Sequence, residues 1–225
     1  MEQEQHLVIA QLRDAIRKIE HRPARRDGYV PSGVPEVDGA LPGGGFPRGA
    51  LSELTGGPAS GKTGVALRLL AGLPPDALAA WVDARGELYP PAAEAMGVDL
   101  ARLLIVRPWF DSGAAAGPAP TTDGRRTASE APGPARALWA AEALLASGAF
   151  AAVVIDAPQA EVARGWDAAA RRLQAAAEKG GAVGVWLSRP GGRLRVPAAA
   201  RVELGPERRL GHLVPVASRR AGHAA

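Results

Sequence analysis

The sequence predicts an α/β fold in which a mainly parallel central sheet is flanked by helices. Apolar stretches of strand length alternate with longer stretches of helical length along most of the chain, as in sheets built from strand–helix–strand units. The short stretches are almost continuously apolar, which is typical of strands buried on both faces. A glycine-rich run at residues 56–63 stands between one such strand and a helix, which is a common arrangement for binding phosphate.

The first predicted element is a helix at about residues 4–20. Four apolar side chains are spaced three or four positions apart and therefore form one stripe on a helix. They are Ile9, Leu12, Ile16 and Ile19. Pro23 ends this helix, and residues 1–31 are expected to form an N-terminal helix and a basic linker. The stripe is expected either to pack on the chain's own core or to dock on another chain.

The core is predicted to occupy residues 32–217 and to begin with a short helical stretch around Asp38. The predicted strands are 50–55, 79–82, 103–106, 151–155, 182–187, 200–204 and 213–217, and the predicted helices are 62–71, 92–96, 137–146 and 165–179. Residues 111–136 are rich in Gly, Ala, Pro and Thr and are expected to be a flexible insertion. Residues 218–225 are expected to form a basic C-terminal tail.

Composition excludes several classes of protein. The 225 residues include no cysteine, so disulfides and thiolate metal sites are ruled out. Charged residues or prolines interrupt every apolar stretch, and residues 1–6 lack the apolar run of a signal peptide. We therefore expect a cytoplasmic protein that does not associate with membranes.

The net charge of +4 is unevenly distributed, because basic residues cluster at positions 21–26 and again near the C-terminus. Such clusters attract nucleic-acid phosphates or acidic partners. No aromatic residues interleave with them, so stacking on single-stranded bases has no local support. Weak, non-specific DNA binding is one interpretation, and a solvated basic surface is the other.

The glycine-rich run satisfies the pattern of a phosphate-binding loop in full. It reads Gly56, Gly57, Pro58, Ala59, Ser60, Gly61, Lys62 and Thr63. Glycines permit the tight turn and let backbone N–H groups approach phosphate oxygens. Lys62 is expected to reach the β and γ phosphates of a nucleotide, and the Thr63 hydroxyl is expected to ligate Mg²⁺. ATP and Mg²⁺ are therefore the expected cofactors.

Asp156 is the second candidate magnesium ligand. It ends the apolar run 151–155, and a carboxylate at the carboxyl end of a central parallel strand can meet the magnesium shell of a bound nucleotide. An ordinary strand-to-loop aspartate is the alternative. The phosphate-binding loop upstream favours the metal ligand.

Around these motifs the chain resembles the RecA-like P-loop family. Before the loop, the resemblance rests on the run Gly44-Gly45-Phe46-Pro47-Arg48-Gly49 and on Glu53. After it, the runs Val82-Asp83-Ala84 and Met96-Gly97-Val98-Asp99 are similar to the next RecA segment. The resemblance continues in order from about residue 32 to 217, and it implies a RecA-like core.

The departures from that family concern hydrolysis. RecA proteins carry a water-positioning glutamate two residues after the aspartate that matches Asp83, and this chain has Arg85 there. A guanidinium stays protonated and cannot act as a base. Glu87 is a candidate substitute if the backbone bulges at Gly86, and Arg85 is expected to form a salt bridge or to contact phosphate. The Asn-Gln pair that senses the γ-phosphate is replaced by Ser188-Arg189. ATP hydrolysis is therefore expected to be weak or absent. The alternative to a site that binds ATP and Mg²⁺ is a vestigial one.

Reduced DNA-contacting segments and the altered catalytic motif make the chain similar to the ImuA family, RecA-like accessory proteins of bacterial damage-induced mutagenesis. This resemblance implies an accessory role in SOS translesion synthesis, with RecA and ImuB, or another translesion polymerase component, as partners. The N-terminal stripe or the basic tail is expected to mediate these contacts. The main alternative is a DNA-dependent ATPase of the RecA type whose rearranged site uses Glu87. A non-filament RecA-like ATPase is disfavoured, because the acidic pair expected after the second strand is missing.

Overall fold

A computed structural model of the chain describes residues 28–108, 134–157, 166–190 and 198–205. The predicted N-terminal helix, the strand at 213–217 and the C-terminal tail lie outside the described residues. Most of the predicted insertion lies outside them too. Within the described ranges, no helix is both long enough and apolar enough to cross a membrane.

The described residues contain a small sheet and a large one. The strands are β1 (Tyr29–Val30), β2 (Phe46–Pro47), β3 (Ala50–Gly56), β4 (Leu78–Asp83), β5 (Leu103–Val106), β6 (Phe150–Asp156), β7 (Val183–Ser188) and β8 (Ala200–Leu204). β1 and β2 pair antiparallel. The other six form one sheet in the order β5-β4-β6-β7-β3-β8, and every pairing within it is parallel. The predicted α/β architecture with a mainly parallel sheet is confirmed.

Helices cover both faces of the large sheet. They are α1 (Pro35–Ala40), α2 (Lys62–Ala71), α3 (Pro90–Ala95), α4 (Pro134–Ala146) and α5 (Trp166–Gly180). Side chains alternate between the faces along each strand, so Trp81 packs in one hydrophobic cluster with α1, α2 and α3. Its neighbour Val82 packs in the other cluster, with α4 and α5. Burial of the sheet on both faces explains why its strands are almost continuously apolar.

Two predicted boundaries are wrong, and proline explains both. α4 begins at Pro134, so the predicted insertion at 111–136 extends three residues too far. α3 begins at Pro90, two residues before its predicted start. Proline is favoured in the first helical turn, because its fixed φ suits the helix and its missing N–H would have no partner there. The remaining strands and helices that were predicted within the described residues are confirmed to within about a residue at each end.

The parallel arrangement gathers the carboxyl ends of the central strands at one edge of the sheet. Asp83 at the end of β4 stands opposite Asp156 at the end of β6. Thr55 near the end of β3 stands opposite Ser188 at the end of β7. In open α/β sheets, the crevice outside the carboxyl ends of the strands is where ligands bind.

Candidate phosphate-binding site

The glycine-rich run forms the connection between β3 and α2, as its sequence predicts. Gly61 immediately precedes α2 with a φ of 91°, in the left-handed region that glycine adopts at little cost. Gly56 is required for a different reason. A Cβ added there would stand 2.5 Å from Ser60 Oγ and 2.7 Å from the carbonyl oxygen of Leu204. The loop therefore folds back against its own strand and against β8.

The loop borders an open cavity of about 400 Å³ at the carboxyl edge of the sheet. Its lining comprises Gly57, Pro58, Ala59, Ser60, Gly61, Lys62, Thr63, Arg85, Asp156, Leu187, Ser188 and Arg189. Seven of the eight predicted phosphate-binding residues are thus brought together, and Gly56 supports them from the end of β3. Three cationic side chains and one carboxylate line the cavity, so its charge suits a polyphosphate.

Lys62 is folded back onto the loop. Its Nζ donates hydrogen bonds to the carbonyl oxygens of Gly56 and Gly57, the latter at 3.2 Å. These bonds hold the ammonium at the mouth of the loop, next to the space in which phosphate is expected. A bound polyphosphate would offer stronger, charged acceptors in place of the carbonyls.

Two further observations support a phosphate ligand. The Oγ of Ser60 is buried and has no hydrogen-bond partner among the described residues, and an unpaired buried hydroxyl is costly. A Cβ added to Gly57 would meet nothing within 4 Å, so open space approaches the backbone closely at that position. The loop residues fit a phosphate group.

Arg85 forms a salt bridge, which was one of its two predicted roles. Its Nη2 lies 3.2 Å from Oδ2 of Asp156 and 2.8 Å from Oε2 of Glu87. The guanidinium therefore stands between two carboxylates, one buried and one exposed. Because Arg85 also lines the cavity, the salt bridge leaves its second predicted role, contact with phosphate, as a prediction.

Glu87 follows Gly86, whose φ of 70° lies in the left-handed region. Its backbone N–H donates to Oδ1 of Asp83 at 3.0 Å. Its carboxylate, 60% exposed, is paired with Arg85 and is absent from the lining of the cavity. The catalytic role of Glu87 remains a prediction, and in this arrangement its carboxylate is engaged elsewhere.

The pKa of Asp156, a carboxyl group in the lining of the cavity, is shifted by its surroundings. Burial raises the pKa of this carboxyl above its ordinary value, and the charge and hydrogen bond of Arg85 act in the opposite direction. Asp83 and Glu87 add smaller upward contributions through their negative charges. Desolvation disfavours the charged form of a carboxyl group, so Arg85 is the main partner that favours its ionisation.

The predicted magnesium ligands, Thr63 and Asp156, both border the cavity. However, Oδ2 of Asp156 is already occupied by the Arg85 guanidinium, so these residues do not fit a divalent cation unless Arg85 moves. Magnesium ligation by Thr63 and Asp156 stays a prediction.

Sequence reasoning missed the partners that hold the rim of this cavity. Ser188 Oγ donates to Oε1 of buried Glu53 at 2.6 Å, and Arg201 Nε donates to the other oxygen of Glu53 at 2.5 Å. The signal was a charged residue within each of two predicted strands, Glu53 in β3 and Arg201 in β8. The hydroxyl of Ser188 is thus directed to a carboxylate of the core.

Comparison with known proteins finds similarity to RecA. The family model of the RecA N-terminal domain matches residues 10–117. Protein RecA of Staphylococcus carnosus is 40% identical over 95 residues, which cover 42% of this chain and 27% of that protein. Protein RecA of Bacillus licheniformis is 36% identical over 154 residues, which cover 66% of this chain and 38% of that protein. Protein RecA of Rubrobacter xylanophilus is 30% identical over an alignment of 233 residues, which covers 88% of this chain and 60% of that protein.

The chain is therefore similar to RecA proteins over these ranges. The phosphate-binding loop and Arg85 lie inside the range matched by the family model, whereas Asp156 and Ser188 lie beyond it. This chain spans between about a quarter and three fifths of the length of these curated relatives. The activity and partners of a whole RecA protein are therefore matters for proposal.

Proposed function

We propose that this RecA-like protein binds ATP through residues 56–63, hydrolyses it slowly or not at all, and acts as an accessory protein in SOS translesion mutagenesis. The observation that carries the proposal is the Arg85–Asp156 ion pair, which stands beside a complete phosphate-binding loop. The similarity to RecA proteins supports a DNA-repair setting. The accessory role and the partners RecA and ImuB rest on the resemblance to ImuA.

Support for nucleotide binding comes from charge and shape together. Lys62, Arg85 and Arg189 line one open cavity with the loop, and α2 directs its amino end at the same space. Backbone N–H groups at a helix start and cationic side chains are the groups that hold a polyphosphate.

Support for weak hydrolysis comes from the groups that would act on water. A guanidinium cannot accept a proton, and Arg85 occupies the position of the water-positioning glutamate. Glu87 is paired with Arg85, and the hydroxyl of Ser188 is bonded to Glu53. Phosphoryl transfer depends on positioning and charge stabilisation of the attacking water and the transferred group, and these three side chains are engaged with one another or with the core instead.

Calorimetric titration with ATP, paired with a turnover assay, tests the nucleotide part of this proposal. We expect the wild-type protein to bind, and we expect Lys62→Ala to weaken binding by about 10- to 100-fold, the value of a lost charge-assisted hydrogen bond to phosphate. Turnover is expected on the order of 10⁻³ s⁻¹ or less, the scale of a P-loop protein that lacks its activating group.

The matched control is Lys179→Ala, because Lys179 lies in the last turn of α5 and outside the cavity. It should leave ATP binding unchanged. Rapid turnover that single-stranded DNA stimulates and Glu87→Ala abolishes would contradict the proposal and support the DNA-dependent ATPase.

The partner part of the proposal is tested by deleting residues 1–22 and measuring capture of purified RecA and of purified ImuB. We expect the deletion to reduce capture, because the predicted apolar stripe of Ile9, Leu12, Ile16 and Ile19 would be removed. The control is a variant with Gln3 and Gln5 replaced by alanine, which changes neighbouring residues and leaves the stripe intact. If the deletion leaves capture unchanged, the stripe is not the contact, and truncation after Pro215 then tests the basic tail.

A further inference from the structure

Arg85 is the cation that faces the predicted magnesium ligand. Its Nη2 lies 3.2 Å from Oδ2 of Asp156, whose side chain is only 7% exposed. Arg85 itself is 28% exposed and lines the same cavity as the phosphate-binding loop. The positive charge of this guanidinium is therefore placed between a buried carboxylate and the space into which phosphates would enter.

From this placement we infer that Arg85 takes the place of the divalent cation, so that this protein binds ATP without Mg²⁺. The inference rests on the proposed ATP binding by residues 56–63 and deepens it, because it specifies metal-free nucleotide as the ligand. It also departs from the predicted ligation of Mg²⁺ by Thr63 and Asp156.

The guanidinium of Arg85 can supply the positive charge that the metal would otherwise place beside the phosphates. It keeps its charge at all ordinary pH values, and its forked N–H groups match the spacing of phosphate oxygens. Both ion pairs of Arg85 use Nη2, one of the two terminal nitrogens of a guanidinium that carries five N–H donors. Donor capacity for a further acceptor therefore remains on the same side chain.

A divalent cation would compete poorly for this carboxylate. If it bound the other oxygen of Asp156, it would stand within a few ångströms of the guanidinium, and two cations so close in a partly buried site repel each other strongly. If it displaced Arg85, the remaining partner would be Glu87, which is 60% exposed. An exposed ion pair contributes little to stability, so the buried Asp156 is the stronger partner of Arg85.

The test is the dissociation constant of ATP, measured by calorimetry in Mg²⁺ and again in EDTA. We expect the two constants of the wild-type protein to agree within about threefold. For Arg85→Ala we expect ATP binding in EDTA to weaken by at least about tenfold, as expected for loss of a charged hydrogen-bond donor. Binding by this variant should then become sensitive to Mg²⁺, because Asp156 is released for the metal.

Arg172→Ala is the matched control, since it removes an exposed ion pair with Glu142 outside the cavity. Its two dissociation constants should equal those of the wild type. Circular dichroism tests whether Arg85→Ala is folded. If the variant is unfolded, the dissociation constants of the wild-type protein in Mg²⁺ and in EDTA decide the question alone.

The outcomes separate the inference from the proposed function. A wild-type dissociation constant that rises more than about threefold in EDTA overturns the inference and leaves ATP binding standing. Absence of ATP binding by the wild-type protein in both buffers overturns the proposed nucleotide binding, and the inference falls with it. Equal Mg²⁺ independence in Arg85→Ala also overturns the inference, because another group would then supply the charge.

Discussion

Asp83→Ala is expected to lower the free energy of unfolding by about 3 kcal/mol, because it removes a buried carboxylate that accepts hydrogen bonds from three donors. Asp83 is completely buried. Its Oδ1 accepts the N–H of Glu87 at 3.0 Å, and its Oδ2 accepts the N–H of Leu88 at 3.2 Å. Oδ2 also accepts from Nε of Arg107 at 2.9 Å. Urea unfolding of wild type and variant measures the loss.

The same carboxylate fixes the segment that carries Arg85 and Glu87, so the effect of its removal reaches the site. Asp99→Ala is the matched control. Asp99 is 48% exposed, pairs with Arg102 and accepts the N–H of Ala101, and an exposed pair of this kind contributes less than about 1 kcal/mol. Equal losses in the two variants would contradict the argument that burial makes Asp83 important.

The phosphate-binding loop could be predicted from sequence because all its requirements are local. A strand, the run from Gly56 to Thr63 and a helix follow one another directly. The alternation of apolar segments likewise predicts a parallel sheet, since a strand that is buried on both faces is apolar at nearly every position. The parallel α/β fold predicted from local pattern is therefore confirmed within the described residues.

The partner of Arg85 could not be predicted in the same way. Arg85 and Asp156 are 71 positions apart, and they meet because β4 and β6 are neighbours in the sheet. The pairing of Glu53 with Arg201 spans 148 positions and depends on the neighbouring positions of β3 and β8. Strand order decides both contacts, and no local spacing encodes it.

Gly180→Ala is expected to lower the free energy of unfolding by at least about 3 kcal/mol, because overpacking here involves backbone. A Cβ at Gly180 would stand 1.9 Å from the carbonyl oxygen of Leu145 and 3.1 Å from the backbone nitrogen of Gly148. Neither group can rotate away, so the end of α5 and the end of α4 would have to separate. Chemical unfolding of the variant measures the effect.

Two other glycines test whether the nature of the neighbour sets the size of the loss. Gly184→Ala places its Cβ 2.8 Å from Cδ1 of Leu51, a side-chain end that can shift more readily than backbone, so its loss should be smaller. Gly39→Ala meets nothing within 4 Å in the helix α1 and should change stability by less than about 1 kcal/mol. A loss at Gly39 as large as that at Gly180 would contradict the argument.

Gly180 also separates stability from nucleotide binding. It lies at the end of α5, before the amino end of β7, whereas the cavity is bordered by Ser188 at the carboxyl end of that strand. Under conditions where Gly180→Ala remains folded, we therefore expect its dissociation constant for ATP to match that of the wild type. A weaker constant in the folded variant would mean that the packing of α4 on α5 reaches the phosphate-binding edge of the sheet through β7.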